Sequence, residues 1–400
     1  MYDVMKGVRV IEVAEHTFVP AAAMVLADWG ADVVKVERTG GGDASRHLKL
    51  PGTDGTINPF FEAANRGKRG ISLDLTQAAG REQLYRLIDG ADVFVTNLRE
   101  DARRKLGIQP SELLARNPRL VYGLGTGYGR QGDMAASGGF DYPSSWCRSG
   151  AAWLQTVDGS DMPPKQPGSI GDLGGGLSLA GAIAAALFRR ERTGQGAVVE
   201  NALYLMGTYL MSQSLLAASI GAPLITNHKQ KEALLPLANN YRTRDGRWIS
   251  LCLLVDAWWP DFLNHVGRAD LGTDPRFIDA AARYVNRQAL VEVLNQMFAE
   301  YDYAYWCQAL ATLQGVWSPV QSPQEVLRDP PALANGFVSS VSVDDGTGYL
   351  AGVSPAQFDE QSIGELSGAP RYSQHTEEVL RESGLDAAQV AQLRAQGVIA

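Results

Sequence analysis

Runs rich in Val and Ile punctuate the first third of this 400-residue chain, and helical segments separate them. Residues 8–13, 32–37, 71–75, 92–95 and 120–124 read as strands. Residues 21–29, a stretch near 82–88 and another near 111–115 read as the helices between them. Strands parted by helices imply βαβ units, hence a parallel sheet with right-handed crossovers. Ligands on such sheets sit at the carboxyl ends of the strands, so the loops that follow the strands are where chemistry is expected.

The first of those loops lacks the Gly-x-Gly-x-x-Gly fingerprint. Glu12-Val13-Ala14-Glu15-His16-Thr17-Phe18-Val19-Pro20 stands in its place, which speaks against a nicotinamide-dependent oxidoreductase. No Gly-x-Ser-x-Gly elbow occurs either. A net charge of −8 disfavours general nucleic-acid binding, which needs a basic face. Cys147, Cys252 and Cys307 are far apart, and the five histidines are scattered without ligand spacing. No metal site is therefore expected, and a reducing cytoplasm is. With no signal-peptide pattern and no unbroken apolar stretch of about 18 residues, no membrane partner is expected.

Four hundred residues exceed one ordinary core, so two domains are expected. Residues 223–236 read as a linker, and 241–251 as a hairpin turning at Asp245-Gly246. Helical segments fill 258–313, residues 316–326 read as a link back, and the tail is helical at 377–384 and 386–396. The expected division is a large domain of 1–222 and 331–400 and a smaller α+β domain of 223–330.

Within the large domain, Gly171-Asp172-Leu173-Gly174-Gly175-Gly176 opens into an apolar helix, residues 177–188, closed by Arg189-Arg190. Glycines let backbone approach a bound molecule and offer N–H donors, and an Asp at a helix start is favoured as an anion. An ordinary N-cap with small-residue helix packing is the plainer reading of the same residues. Four further segments hold polar residues near strand ends: Glu37-Arg38 with Gly40-Gly41-Gly42-Asp43; Asn65-Arg66-Gly67-Lys68-Arg69; Asn97-Leu98-Arg99 with Arg103, Arg104 and Lys105; and Gly138-Gly139-Phe140-Asp141. The basic ones suit phosphate or carboxylate binding, or a solvated surface. Asp141 and Asp172 could share one site, each tuning the other's pKa.

In this order the segments resemble the family III CoA-transferases, the CaiB/BaiF family, to which the α-methylacyl-CoA racemases are related. The resemblance runs from Leu26-Ala27-Asp28-Trp29-Gly30-Ala31-Asp32 through Gly127-Tyr128-Gly129, Gly139-Phe140-Asp141 and Gly171-Asp172 to Ser322-Pro323-Gln324-Glu325 and His375-Thr376-Glu377-Glu378. It implies a Rossmann-like parallel sheet plus a smaller α+β domain in an interlocked homodimer. It also implies acyl-CoA and carboxylic acid substrates, no tightly bound cofactor, and transfer through a covalent aspartyl anhydride and aspartyl-CoA thioester. Asp172 matches the nucleophile, and Asp141 a supporting carboxylate. Arg38, Asn97, Leu98 and Lys105 match CoA contacts, with Lys68 and Arg104 as further cations. Thr17, Phe140, Gly174 and Gly175 fall on the substrate side.

The racemase branch carries a catalytic His where this chain has Phe140, and two-base epimerisation needs such a group. A surface or core place is expected for His16, which leaves CoA transfer ahead of racemisation and of a silent CoA-binding role. The formyl-CoA branch carries a mobile glycine-rich loop where this chain reads Leu235-Pro236-Leu237-Ala238-Asn239-Asn240-Tyr241, so gating of that kind is not expected. Trp146, Arg148, Trp153, Trp258 and Trp259 are either acyl-pocket residues or core.

Overall fold

A computed structural model describes residues 1–52, 57–344 and 346–400. They form two compact units. The larger comprises Met1–Trp153, Pro164–Leu224 and Asp329–Ala400, and the smaller Leu154–Pro163 and Ile225–Arg328. The linker boundaries read from the sequence thus shift by two residues at each end, and residues 154–163 belong to the smaller unit.

The larger unit is built on six parallel strands in the order β3-β2-β1-β4-β5-β6. Along the chain, β1 (Arg9–Val13), α1 (Phe18–Asp28), β2 (Asp32–Glu37), α2 (Pro59–Asn65) and β3 (Arg69–Ser72) make one half. The other half begins with α3 (Ala78–Asp89), β4 (Val93–Thr96), α4 (Glu100–Leu106), α5 (Pro110–Arg116) and β5 (Val121–Thr126). After α6 (Ala151–Gln155) come α7 (Ile170–Thr193) and β6 (Ala197–Ala202). The order reverses between β1 and β4, and a sheet of this kind opens its ligand crevice at that switch point.

Alternation along the inner strands explains the two-sided core. Val10, Val33, Val93 and Val121 face α1 and α7 in one cluster, while Ile11, Val34, Phe94 and Tyr122 face the other side. That second side is covered partly by the tail helices, through Val379, Leu380 and Val390. Strands buried on both faces read as continuous apolar runs, which is why they were legible. All eleven residues of α1 are buried.

Helix α7 is longer than the sequence pattern implies, because it begins at Ile170 and includes the glycine run. It is long and apolar enough to cross a membrane by length and composition. Its Leu179, Ala180, Ile183 and Leu187 are instead packed in the sheet core. The single helix expected after β6 is two, α8 (Leu203–Leu210) and α9 (Ser212–Ser219), broken at Met211.

The smaller unit holds an antiparallel sheet of β7 (Ala238–Arg242), β8 (Trp248–Cys252) and β9 (Val316–Pro319). The β7–β8 hairpin turns at Gly246, whose φ of 81° favours glycine. Residues 316–319 therefore form a strand where a link was expected. A third sheet in the larger unit, β10 (Val338–Ser342), β11 (Gly348–Gly352) and β12 (Leu366–Ser367), has no counterpart in the sequence reading.

Candidate active site

The loops after β1 and β4 are tied together at the switch point. The Asn97 amide accepts from the Glu15 backbone N–H (3.1 Å) and donates to the Glu15 carbonyl (2.7 Å). Asn97 thus uses both ends of its side chain to hold the two loops. Above them opens a cavity of about 400 Å³ lined by, among others, Glu15, His16, Asn97, Arg99, Phe140 and Asp172. A second cavity of about 270 Å³ is lined by Arg38, Asp43, Thr76 and Leu106. Glu15, Leu98 and Ala102 line both.

Asp172 is the third residue of α7, half-buried, and not its N-cap. Ser169 holds the N-cap position but makes no side-chain cap bond. Asp141 supplies that interaction from elsewhere: its Oδ2 accepts from the Gly171 N–H at 3.0 Å, and its Oδ1 accepts a short bond from Ser145 Oγ. A Cβ at Gly171 would collide with Asp141 and Ser145, so the glycine is what lets the carboxylate reach the helix. Asp141 and Ser145 lie four residues apart at the start of a π-helical stretch, Tyr142–Cys147, whose wide turn sets them on one side. Burial pushes the Asp172 carboxyl up to about 7, and the Asp141 charge adds to the shift.

Phe140 and Asp141 are placed by a crossing of loops. A Cβ on Gly127, just beyond β5, would lie 2.7 Å from the Gly139 Cα, so only glycines allow this approach. At Gly138 the Arg99 guanidinium occupies the space of a side chain. Arg99, Arg103 and Arg130 all line the Asp172 cavity, giving it cations that suit a carboxylate or phosphate.

The other glycines serve packing. A Cβ at Gly175 would strike the Phe18 ring, one at Gly176 would strike Ala21, and one at Gly174 would strike Met206. Gly174 and Gly175 are therefore helix-contact positions, and the expectation of glycine backbone facing a ligand gives way here. Thr17 is the N-cap position of α1 and does not line the cavity.

Lys68 is also moved from its expected place. Its ammonium is buried and bound to Glu12 Oε2 (2.6 Å), the Pro20 carbonyl (2.9 Å) and Asn65 Oδ1 (2.9 Å). The same Glu12 holds Lys35 (2.7 Å), which also pairs with Asp43 (2.8 Å). Arg104 and Lys105 lie exposed on α4, Arg104 paired with Glu100 and Asp101. Arg38 is exposed on the second cavity, with Nε bonded to the Gly42 carbonyl at 2.9 Å.

None of the singled-out aromatic residues lines the Asp172 cavity. Trp146 donates to the Pro164 carbonyl, Trp153 is exposed, and Trp259 is in the core of the smaller unit. Arg148 lies over the faces of Tyr128 and Tyr204. His16, by contrast, is neither a core nor a plain surface residue. It lines the cavity with Asp172, and its ring meets Phe140 edge-to-face with centroids 5.5 Å apart. Its position directly after the first strand was the signal that could have found it.

Comparison with known proteins accords with this geometry. Over 390 residues the chain is 32% identical to the (R)-2-hydroxy-4-methylpentanoate CoA-transferase of Clostridioides difficile, covering 96% of each. It is 27% identical to the cinnamoyl-CoA:phenyllactate CoA-transferase of Clostridium sporogenes, over 98% of this chain and 96% of that one. A crystal structure of a CaiB/BaiF family protein from Brucella suis matches with a TM-score of 0.82 and 27% identity, covering 95% of this chain and 99% of that one. The model of CoA-transferase family III matches residues 5–376. A Rossmann-like sheet with a buried-acid pair at its switch point, carried on this sequence, is thus the framework of an enzyme of CoA-transferase family III, the family to which the chain belongs.

Proposed function

We propose that this protein moves CoA from an acyl-CoA thioester to a carboxylic acid, with Asp172 as the nucleophile. The observation that carries this reading is the half-buried Asp172 carboxylate on the wall of a switch-point cavity, with Asp141 beside it. The ionised Asp172 attacks the thioester carbon, the carbon–sulfur bond breaks with its electron pair on sulfur, and an aspartyl–acyl anhydride forms. The thiolate then attacks the aspartyl carbonyl, expelling the donor acid and leaving an aspartyl-CoA thioester. An acceptor carboxylate reverses both steps. Covalent catalysis of this kind divides one exchange into easier halves.

A carboxyl that titrates near neutrality is a stronger nucleophile than one near 4, yet is still largely ionised above pH 7. CoA would thread between the two cavities past Leu98, with Arg38 and Lys105 toward its phosphates. The relatives named for 2-hydroxy acids make branched and aromatic 2-hydroxy acids the acceptors to try first. Exposed Leu205, Tyr209, Leu210, Leu216 and Ile220 on and just after α8 and α9 form an apolar face that supports a homodimer, the interlocked one being our proposal. The three unpaired cysteines support a cytoplasmic location.

Intact-mass analysis after mixing with cinnamoyl-CoA and 2-hydroxy-4-methylpentanoyl-CoA tests the reading. An adduct on Asp172 that is absent from Asp172→Ala supports it, and no adduct under conditions of turnover sinks it. His16 carries a second reading, an α-methylacyl-CoA epimerase, because it and Asp172 supply two candidate bases to one cavity. Deuterium uptake at the α-carbon without CoA exchange would favour that reading instead.

A further inference from the structure

Four non-glycine residues among those described have positive φ, and of these only His16, at 66°, lines the Asp172 cavity. Such a conformation is disfavoured for a side chain with a Cβ and persists only where its surroundings over-determine it. Here they do. The His16 N–H donates to Asp43 Oδ1 (3.0 Å), and the same oxygen accepts from the Ser45 N–H (2.8 Å) and Ser45 Oγ (2.7 Å). Asp43 Oδ2 pairs with the buried Lys35, which also binds Glu12 and the Ala14 carbonyl. A chain of buried charges thus ends on the backbone of one cavity residue.

The placement of His16 gives that investment a use. Glu15, its neighbour, lines both the Asp172 cavity and the Arg38 cavity, so His16 stands where the first opens toward the second. On the reading that CoA spans both cavities, this is the CoA side of Asp172 and the side on which sulfur departs. We propose that His16 is the catalytic acid–base residue for the CoA sulfur, an inference that rests on Asp172 being the nucleophile. As the carbon–sulfur bond breaks, the His16 imidazolium passes its ring proton to the sulfur, giving the CoA thiol and neutral imidazole. In the second step neutral His16 takes that proton back as sulfur bonds to the aspartyl carbonyl and the donor carboxylate leaves. No proton is gained or lost over the two steps.

The conformation of His16 also supplies the test. Glycine adopts φ near 66° without strain and keeps the N–H to Asp43, so His16→Gly removes the imidazole and preserves the backbone. Formation of the Asp172 adduct from saturating cinnamoyl-CoA is followed by rapid quench and intact mass in the wild type and in His16→Gly. The expected result is a limiting rate lowered about 100-fold or more. The KM for cinnamoyl-CoA should be little changed, the melting temperature no lower, and the rate partly restored by added imidazole. An unchanged limiting rate, a loss confined to KM, or a loss unresponsive to imidazole would each overturn the proposal. A wild type that turns over without an adduct would refute the Asp172 reading itself, a result distinct from any of these.

Discussion

Asp141 accepts the Gly171 N–H at 3.0 Å and thereby brings a second carboxylate to the residue that precedes Asp172. One group does two jobs: it caps a helix that lacks a side-chain cap of its own, and it adds negative charge beside the nucleophile. Substituting it should separate them. In Asp141→Asn the acid limb of the activity profile should move to lower pH, because the repelling charge is gone. The protein should also lose about 1–2 kcal/mol of stability, since an amide cannot accept from both Gly171 and Ser145. A pH–rate profile alongside urea unfolding reads both.

The Asp172 carboxyl, raised from 3.8 to about 7, predicts a direction for activity and for stability. Adduct formation should be half-maximal near pH 7 and fall about tenfold for each unit below it. Its folded pKa lies above its unfolded one, so the charge is a cost to the fold that begins near pH 4 and is complete above pH 7. Asp172→Asn should therefore be inactive yet more stable than the wild type at pH 8, by on the order of 2–4 kcal/mol. At pH 4 the two should melt alike. Thermal unfolding at the two pH values is the check, and equal stability at both would remove the case for a strained carboxylate.

Gly171 tolerates no side chain. Gly171→Ala should cost about 1–3 kcal/mol and lower activity, as the new methyl displaces Asp141 and Ser145. Ala at Gly181, where a Cβ meets nothing within 4 Å, is the matched control on the same helix and should be neutral or mildly stabilising.

Lys68 and Lys105 should respond in opposite ways. Lys68→Ala leaves the buried Glu12 with one cation instead of two and should cost about 3–5 kcal/mol. Lys105→Ala, on an exposed helix face, should change stability by less than about 0.5 kcal/mol. If Lys105 meets CoA phosphate, its loss appears in the KM for acyl-CoA. Calorimetry and steady-state kinetics on the pair distinguish interior from ligand-facing lysines.

Asn97→Ala should loosen the joint between the β1 and β4 loops. Two hydrogen bonds are lost at a half-buried position, so about 1–2 kcal/mol and a raised KM are expected. The same measurements apply. A variant with wild-type KM and stability would show that the joint is dispensable.

What the sequence disclosed follows from these positions. Strands such as Val93–Thr96 are buried on both faces and announce themselves as apolar runs, so the sheet was legible. Short, partly exposed strands such as Gly348–Gly352 alternate too briefly to register. Asp172 and Asp141 were legible by resemblance. Lys68 and the glycines 174 and 175 were misplaced, because a charge or a glycine looks the same in a sequence whether it faces a ligand or a neighbouring helix. His16 was underrated because its importance depends on backbone conformation and on a partner, Asp43, twenty-seven residues away.

Glu12 and Lys35 face each other in the parallel pairing of β1 and β2, and both are shut away from water. Sliding one strand by a single residue would turn every side chain to the opposite face and leave two interior charges without mates. Apolar neighbours such as Val10 and Val33 could trade places at small expense, whereas this pair cannot. The ion pair therefore works as a key that admits one alignment of the two central strands, and with it one height for the loops that carry His16 and Asp43.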